Sequence, residues 1–216
     1  MPDSLIPNRA GEAITLRSKE IILSRLGDFS GSPDELEVVL RVAHTVGDIE
    51  FGKSILFSKG AIDAGVAALR AGGRVVADVG MVMAGLRAKR LERLGGRAIC
   101  LLDDPRTIEM AQRDDTTRSA AAMRRALPLL GGSIVAIGNA PTALFELLAL
   151  LRDGSARPAL VVGTPVGFVG ALESKEELWA LADEVPRITN LSERGGSPVA
   201  AAIVNALIAL AEGAPW

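Results

Sequence analysis

The chain contains little of the side-chain chemistry on which many enzyme and binding-protein families depend. In 216 residues there are one histidine, one cysteine and no tyrosine, and aromatic residues make up 3%. A single cysteine, Cys100, excludes an internal disulfide, so we expect a reducing, cytoplasmic location. So few aromatic rings leave no platform for stacking bases, and a net charge of −2 gives no general attraction to polyanions. We therefore expect no nucleic-acid partner.

Sequences typical of membrane spans and of common cofactor sites are also missing. The longest apolar run, residues 199–211, is too short to cross a bilayer, and residues 1–13 lack the order of a signal peptide. No G-x-G-x-x-G motif follows a strand, and no P-loop motif, H-E-x-x-H motif, cysteine cluster or G-x-S-x-G sequence is present. We therefore predict no membrane partner, no bound metal and no dinucleotide or P-loop phosphate cradle.

The sequence does contain a regular alternation of short apolar runs with helical patterns, and hydrophobic residues make up 49% of it. Short β-branched runs predict strands at 74–79, 97–102, 133–137, 159–163 and 186–190. Their near-continuous apolar character is typical of strands that are buried on both faces. Helical patterns separate them, which predicts a three-layer α/β/α sandwich with a mainly parallel sheet of about five strands. We expect a single domain that covers residues 1–216.

Helical periodicity places helices before the sheet as well as between its strands. The predicted helices cover 9–26, 34–46, 59–71, 80–95, 117–130, 140–154 and 174–183. The first three form a helical segment, about 9–71, packed on an α/β core at about 72–212. Ser174 and Glu177 fit a capping box, and Ser197 fits an N-cap before Pro198.

The loops that follow the predicted strands form the expected ligand site, because open parallel sheets bind ligands beyond the carboxyl ends of their strands. Most of these loops contain glycine, and two lead into helix starts at Pro141 and Pro198. Helix N-termini attract carboxylates and phosphates, and Arg106, Arg118 and Arg194 lie nearby in sequence. One loop at a time, glycines that turn the chain and solvated arginines are the commoner explanation. Together, the loops predict a site for a ligand with several anionic groups.

His44, the single histidine, lies in the last turn of the predicted 34–46 helix, which Gly47 ends. There the negative end of the helix dipole favours a charged imidazolium by about 0.3–1 kcal/mol, and Asp48 acts in the same direction. A histidine held in its charged form is suited to proton donation. Considered alone, a capping or packed histidine is the commoner role, so both interpretations stay open at this point.

Five segments, in order along the chain, resemble one enzyme family: RVAHTVGDIEF, DTTRSAAAM, GNAPTALFELL, VGTPVGFVGALESK and ERGGSPVAAAIVNAL. The family is the precorrin-8X methylmutases of cobalamin biosynthesis, also called cobalt-precorrin-8 methylmutases, and the resemblance runs from about residue 9 to residue 210. It implies a flavodoxin-like sandwich and a homodimer with active sites at the subunit interface. The apolar final helix is compatible with such a dimer.

The resemblance also implies a reaction and roles for individual residues. The family moves a methyl group between adjacent ring-C carbons of a corrinoid tetrapyrrole, giving hydrogenobyrinate or its cobalt form, cobyrinate. Its catalytic histidine matches His44, which implies a general acid, and its active-site serine and arginine match Ser18 and Arg118. The reaction needs no cofactor, and cobalt enters only as part of the substrate. The carboxylates of the macrocycle agree with the anionic ligand predicted from the loops.

The expected contacts with the substrate come from the strand-end loops and the first helix. The predicted binding residues are Ser18, Arg17, Arg118, Asp78, Met81, Asn139, Thr142, Val166, Phe168, Arg194, Gly195, Gly196 and Ser197. Several have a structural alternative: Asp78 caps a loop, Asn139 and Thr142 cap the helix after them, and Arg17 lies in a surface ion pair. The alternative function is a carrier that holds a tetrapyrrole without turnover. An unrelated α/β enzyme on a nucleotide-type sheet is a third hypothesis.

Overall fold

The computed structural model of the chain describes residues 9–181 and 185–214. In this part the helices are α1 (Arg9–Leu26), α2 (Pro33–Val46), α3 (Ile49–Lys53), α4 (Ala61–Arg70), α5 (Gly80–Gly85), α6 (Ala88–Arg93), α7 (Pro105–Arg113), α8 (Arg118–Arg125), α9 (Leu127–Leu130), α10 (Pro141–Arg152), α11 (Ala171–Trp179) and α12 (Ser197–Ala211). The strands are β1 (Leu56–Phe57), β2 (Val75–Ala77), β3 (Ala98–Cys100), β4 (Ile134–Ile137), β5 (Leu160–Gly163) and β6 (Arg187–Thr189).

The strands form one sheet in the order β1-β6-β5-β4-β2-β3. Every neighbouring pair is parallel except β1 with β6, which is antiparallel. Without β1, the order is that of flavodoxin-like sheets, in which the first strand lies between the second and the third. The predicted mainly parallel sheet is confirmed, and the five predicted strands are present. The sixth, β1, has only two residues, too few for a recognisable pattern.

Helices cover both faces of the sheet, which confirms the three layers. Successive side chains of a strand point to opposite faces, and the buried residues divide accordingly. Val75 and Ile134 pack in one cluster with residues of α2, α4, α5 and α12. Val76 and Val135 pack in the other cluster with residues of α8, α10 and α11. A third, smaller cluster joins α1 to α2.

Helix α12 lies inside the molecule, and its residues from Val199 to Ala211 are all buried. It contacts α2, α4 and α5 as well as strands β4 and β5. A helix whose side chains are apolar on every side is typically buried among other helices and strands. Its apolar character, which the sequence made compatible with a dimer interface, is therefore accounted for within one chain. Among the described residues, no helix is long and apolar enough to cross a membrane.

Two predicted helix starts are wrong. Helix α11 begins three residues before Ser174, and the Ser174 hydroxyl donates to the carbonyl oxygen of Ala171 at 3.0 Å instead of capping the helix. Gly170, with φ 77°, precedes the helix. Helix α12 begins at Ser197 itself, after Gly196, and no side chain caps it. Of the predicted 174–183 helix, residues 182 and 183 lie outside the described residues.

Two predicted helices are divided, and two helices, α3 and α7, were not predicted. The 80–95 segment forms α5 and α6, because the amide of Asn205 binds the backbone between them. The 117–130 segment forms α8 and α9, with Pro128 in the first turn of the second. Helix α7 arises in a segment expected to be a loop, where the Asp104 carboxylate caps it by accepting the Arg106 N–H at 2.9 Å.

Candidate functional site

Local sequence fixes both ends of α2, the helix that carries His44. Ser32 and Glu35 form a capping box: the Ser32 N–H donates to Glu35 at 2.7 Å, and the Glu35 N–H donates to the Ser32 hydroxyl at 3.2 Å. Gly47 ends the helix with φ 67°, and its N–H donates to the Ala43 carbonyl oxygen. The predicted position of His44, in the last turn before a glycine, is confirmed.

His44 lines a cavity of about 690 Å³ at the carboxyl edge of the sheet. The walls come from α1, α2, α5 and α12, and α5 and α12 begin just after β2 and β6. Two of the predicted binding residues, Met81 and Ser197, lie in these walls with His44. The hydroxyl side chains of Thr15 and Thr45 lie there too. The volume is within the usual range for small-molecule sites.

Arg41 and Arg87 line the same cavity, and neither is among the site residues predicted from the sequence. Burial lowers the pKa of Arg41 to about 10, and the charges of Arg87 and Arg90 act in the same direction. Burial also lowers the pKa of Arg87, with Arg90 as the next cause. Like charges around one cavity repel, so an anionic group placed between them is stabilised. Arg41 lies three residues before His44, on the same face of α2, and this spacing was the available signal.

Asn205 holds the backbone that carries Arg87. Its side-chain oxygen accepts the Arg87 N–H at 2.8 Å, and its Nδ2 donates to the Gly85 carbonyl oxygen at 2.8 Å. These bonds occupy the backbone groups at the break between α5 and α6, where helical hydrogen bonding stops. Asn205 itself lines the cavity. In the sequence it was visible only as an interruption in the apolar run of α12.

A second cavity of about 210 Å³ lies against His44 and brings Ser18 into the site. Ser18 lines it together with Arg25 and Gly47, and it lies one helical turn beyond Thr15, which lines the larger cavity. His44 lines both cavities, and α1 contributes one hydroxyl side chain to each of them. Ser18 and His44, two of the predicted site residues, therefore line one cavity.

Asp78 lies at the end of β2, beside β4, where the strand order of the sheet reverses. Its carboxylate accepts the N–H groups of Gly138 at 3.0 Å, Asn139 at 2.8 Å and Ala140 at 2.8 Å. The residue is 2% exposed. Burial raises the pKa of Asp78, and the three N–H groups act in the opposite direction. This geometry supports the loop-capping alternative for Asp78.

A second group of predicted residues lies across the sheet edge, on the side of α8 and α10. Thr142 accepts a hydrogen bond at 2.9 Å from Thr117, which caps α8. Helix α10 begins without a side-chain cap, so the capping alternative for Asn139 and Thr142 is wrong. Arg118 pairs with Asp103 at 3.5 Å, and both side chains are exposed. The structure therefore does not bring this group into the His44 cavity.

The loops after β5 and β6 hold the remaining predicted residues. Val166 and Phe168 are exposed, Phe168 at 94%. Arg194 pairs with Asp48 at 2.6 Å and lies over the ring of Phe51, 4.5 Å from its centroid. The Phe51 N–H and then Arg194 lower the pKa of Asp48, which caps α3 directly after the helix of His44. The loop after β6 is thus tied to the segment that follows His44.

Arg17 points away from these features. Its side chain is 72% exposed and pairs with Glu20, one helical turn along α1, at 3.0 Å. This observation supports the surface ion-pair alternative for Arg17. Exposed pairs of this kind contribute little to stability.

Chemically, the main cavity combines an imidazole, two guanidinium groups and several hydroxyls over an apolar surface from α5 and α12. Such a site is able to donate a proton and to bind carboxylates. Within residues 9–181 and 185–214, no three His, Cys, Asp or Glu side chains cluster in a metal-binding arrangement.

Comparisons with known proteins all point to one family. A family model described as precorrin-8X methylmutase matches residues 13–210. The cobalt-precorrin-8 methylmutase of Priestia megaterium is 46% identical over 196 residues, 91% of this chain and 86% of the relative. The precorrin-8X methylmutase of Pseudomonas aeruginosa is 44% identical over 200 residues, 92% of this chain and 95% of the relative. The crystal structure of precorrin-8X methylmutase from Thermus thermophilus has a TM-score of 0.86 at 39% identity, covering 94% of this chain and 100% of that one.

Proposed function

Because the chain belongs to the precorrin-8X methylmutase family, isomerases of cobalamin biosynthesis, we propose that it shifts a methyl group on ring C of precorrin-8X or cobalt-precorrin-8, with His44 as general acid. One observation carries the role of His44. The single histidine of the chain lines a cavity of about 690 Å³ whose walls also hold Arg41 and Arg87. A proton donor and two anion-binding groups thus surround one space, as a polycarboxylate substrate requires.

The proposed reaction conserves atoms and electrons. The bond from the methyl group to one ring carbon breaks, a bond to the neighbouring carbon forms, and substrate and product have the same composition. We therefore propose that no cofactor takes part and that cobalt, where present, belongs to the substrate. The protein has two tasks, to hold the macrocycle in one geometry and to move one proton. General acid catalysis contributes typically about 10²–10⁴-fold to such a step.

The described residues divide these tasks between them. His44 donates its proton to the macrocycle near the migrating methyl group, and the release of one proton from the macrocycle after the shift restores His44 and keeps the composition unchanged. The hydroxyl of Ser18 lies on the side of the second cavity. Met81 and the small side chains of α12 provide an apolar surface for the ring. Arg41 and Arg87 bind peripheral carboxylates, where each charge-assisted hydrogen bond is worth about 1.5–3 kcal/mol.

Replacing His44 separates catalysis from binding, and so separates the proposed enzyme from a carrier protein. We expect His44→Ala to retain pigment binding and to lose conversion by about 10²-fold or more. The assay follows the visible absorption shift on incubation with precorrin-8X and, separately, with cobalt-precorrin-8. Glu50→Gln, on the exposed surface of α3, is the matched control and keeps the parent rate. A His44→Ala protein that converts substrate at the parent rate contradicts the acid role, whereas a parent protein that binds without conversion is a carrier.

The two arginines are tested by their effect on KM. Arg41→Gln and Arg87→Gln should each raise KM about tenfold or more, because each removes a charge-assisted bond to a substrate carboxylate. Arg157→Gln is the control, since Arg157 is exposed at the opposite edge of the sheet, before β5. An unchanged KM in both cavity variants excludes them from carboxylate binding.

We also propose that the chain forms a homodimer with its sites near the interface. The support is α1, which exposes Ile14, Leu16 and Leu23 on its surface while Thr15 and Ser18 of the same helix line the two cavities. Exposed apolar patches of this kind mark interaction surfaces. Light scattering should give twice the mass of one chain for the parent protein and a lower mass for Leu16→Glu. A monomeric parent protein contradicts this arrangement.

A further inference from the structure

Lys175 is a buried lysine with no assigned role in the proposed reaction. It lies in α11, and its exposed fraction is 0%. Its ammonium donates to the carbonyl oxygens of Pro165 at 3.0 Å, Arg194 at 2.8 Å and Ser192. A lysine ammonium has three donors, so each donor has an acceptor. All three acceptors are backbone groups of the loops that follow the neighbouring strands β5 and β6.

A buried ammonium without a hydrogen-bonded carboxylate is costly, because it has left water for surroundings that solvate charge poorly. Burial lowers the pKa of Lys175 to about 8, and the carboxylate of Glu193 opposes this shift. An apolar side chain of the same length would fill the same space without this cost. What the ammonium adds is three hydrogen bonds to these two loops.

The two loops also touch through their backbones. The Gly196 N–H donates to the Thr164 carbonyl oxygen at 2.8 Å, and the Gly167 N–H donates to the Glu193 carbonyl oxygen at 3.0 Å. Gly195 approaches so closely that an added Cβ would lie 2.3 Å from the Thr164 oxygen. The Lys175 ammonium therefore completes a continuous junction in which the glycines allow close approach and the lysine supplies the donors.

This junction lies directly beside the candidate site. The 190–196 loop leads into α12, whose first residues, Ser197 and Pro198, line the His44 cavity. Within the loop, Arg194 pairs with Asp48, the cap of α3 that follows His44 by four residues. A displacement of this loop thus moves the start of α12 in the wall of the main cavity and disturbs α3, whose Ile49 lines the second cavity beside His44. It does not directly move α2, whose ends are fixed by its own caps.

We propose that Lys175 is a positioning residue of the active site, whose ammonium joins the 163–170 loop to the 190–196 loop and so fixes the start of α12 in the wall of the His44 cavity. The kinetic consequences rest on the proposed function, while the effect on the loops does not. Loss of the ammonium frees the loops and weakens substrate binding, but leaves His44 in place. A neutral lysine has two donors for three carbonyls, so deprotonation also releases one loop contact.

The experiment compares the parent protein with Lys175→Met, which keeps the length of the side chain and removes every donor. Amide hydrogen exchange without substrate should be about tenfold faster in 163–170 and 190–196 and unchanged elsewhere. KM should rise about tenfold while kcat stays within about threefold. Lys59→Met, at an exposed lysine, is the control for the replacement of a lysine by a methionine as such. Leu130→Ala, in the core at the opposite sheet edge, is the control for general loss of stability.

The pH dependence supplies a readout that a purely structural role would not move. The parent KM should rise as pH rises above about 8, where Lys175 loses its proton; KM is the quantity followed because kcat also depends on the proton that His44 donates. The charged groups near it are Glu193, which favours the ammonium, and Arg194, whose guanidinium is paired with Asp48. In Lys175→Arg the cation persists, so this alkaline rise in KM should move upward by about one pH unit or more.

Each outcome decides the inference. Unchanged exchange in both loops of Lys175→Met overturns it, as does faster exchange with an unchanged KM. Exchange that rises equally throughout the Leu130→Ala and Lys175→Met proteins shows general destabilisation and also overturns it. If Lys175→Arg does not fold, the Lys175→Met exchange and KM data decide alone. A failure of the methylmutase assay with parent protein contradicts the proposed function but leaves the exchange result intact.

Discussion

Replacing Asp78 by Asn tests whether this carboxylate holds a loop or contacts the substrate. The two oxygens of Asp78 accept three backbone N–H groups, one from Gly138 and two, on the other oxygen, from Asn139 and Ala140. An asparagine has one oxygen, which is able to face the pair. Its NH₂ group then faces the remaining N–H, so one donor loses its acceptor and meets another donor.

The size of the effect follows from these bonds. A hydrogen bond to a charged group contributes about 1.5–3 kcal/mol, and an unpaired buried donor costs about 1–3 kcal/mol. Removing the buried charge of Asp78 offsets part of this loss, because burial disfavours the carboxylate. We expect a net loss of about 2–4 kcal/mol from a total free energy of unfolding of about 5–15 kcal/mol. The urea midpoint should fall by about 1 M with an unchanged m value.

The loop that Asp78 holds also touches the site, so a change in substrate affinity should accompany the loss of stability. A Cβ added to Gly138 would lie 2.8 Å from the Cα of Ser197, in the first turn of α12. Asp103→Asn is the control, since the Asp103 side chain is 82% exposed, and its stability should stay within about 0.5 kcal/mol of the parent. An Asp78→Asn protein with the parent's stability and a raised KM refutes the loop-holding role and favours direct contact.

Three further substitutions test other parts of the structure. Asn205→Leu leaves the Gly85 carbonyl oxygen and the Arg87 N–H without partners. Thermal unfolding should therefore show a loss of about 1–3 kcal/mol in the free energy of unfolding, and an unchanged Tm contradicts this. Gly195→Ala places a Cβ 2.3 Å from a backbone oxygen of the facing loop, so substrate affinity should fall, and parent-like affinity would show that the loops separate freely. The pKa of Asp48 is lowered in the folded protein, so its contribution to stability is present above about pH 4 and lost as pH falls below it. Asp48→Asn should therefore flatten the acid limb of the stability curve between about pH 5 and 3, and an identical limb would contradict the bonds to Phe51 and Arg194.

Much of the fold was predictable because its strands are buried on both faces and carry continuous apolar runs. The strand at 133–137 and the helix ended by Gly47 needed only local sequence. The division of the 80–95 helix was not predictable locally, because its cause is Asn205, on a helix more than a hundred residues further along the chain. The start of α11 was missed because Ser174 has the sequence of a cap and the environment of a core residue.

The site was predictable where a residue has its own chemistry and a fixed local position, as His44 does. Arg41 and Arg87 were not predictable as a pair, because only the packing of α2 and α5 against α12 brings them to one cavity. Arg118 illustrates the opposite case. Its sequence position suggested the site, but in the described fold its side chain pairs with Asp103 on the other side of the sheet edge.

Asp78, Asn205 and Lys175 share one arrangement, from which we expect the site to depend on residues far from the reaction. Each is a buried polar side chain bonded to the backbone of a loop or helix break in another element, and each bond holds a different segment beside the candidate site. A rearrangement within one rigid macrocycle gains from fixed geometry more than from additional reactive groups. Positions that hold backbone in place should therefore be as sensitive to substitution as cavity residues, while keeping His44 intact. In the sequence, Asp78 and Asn205 appear as single polar residues within apolar segments, whereas Lys175 lies in a polar run, 173–177.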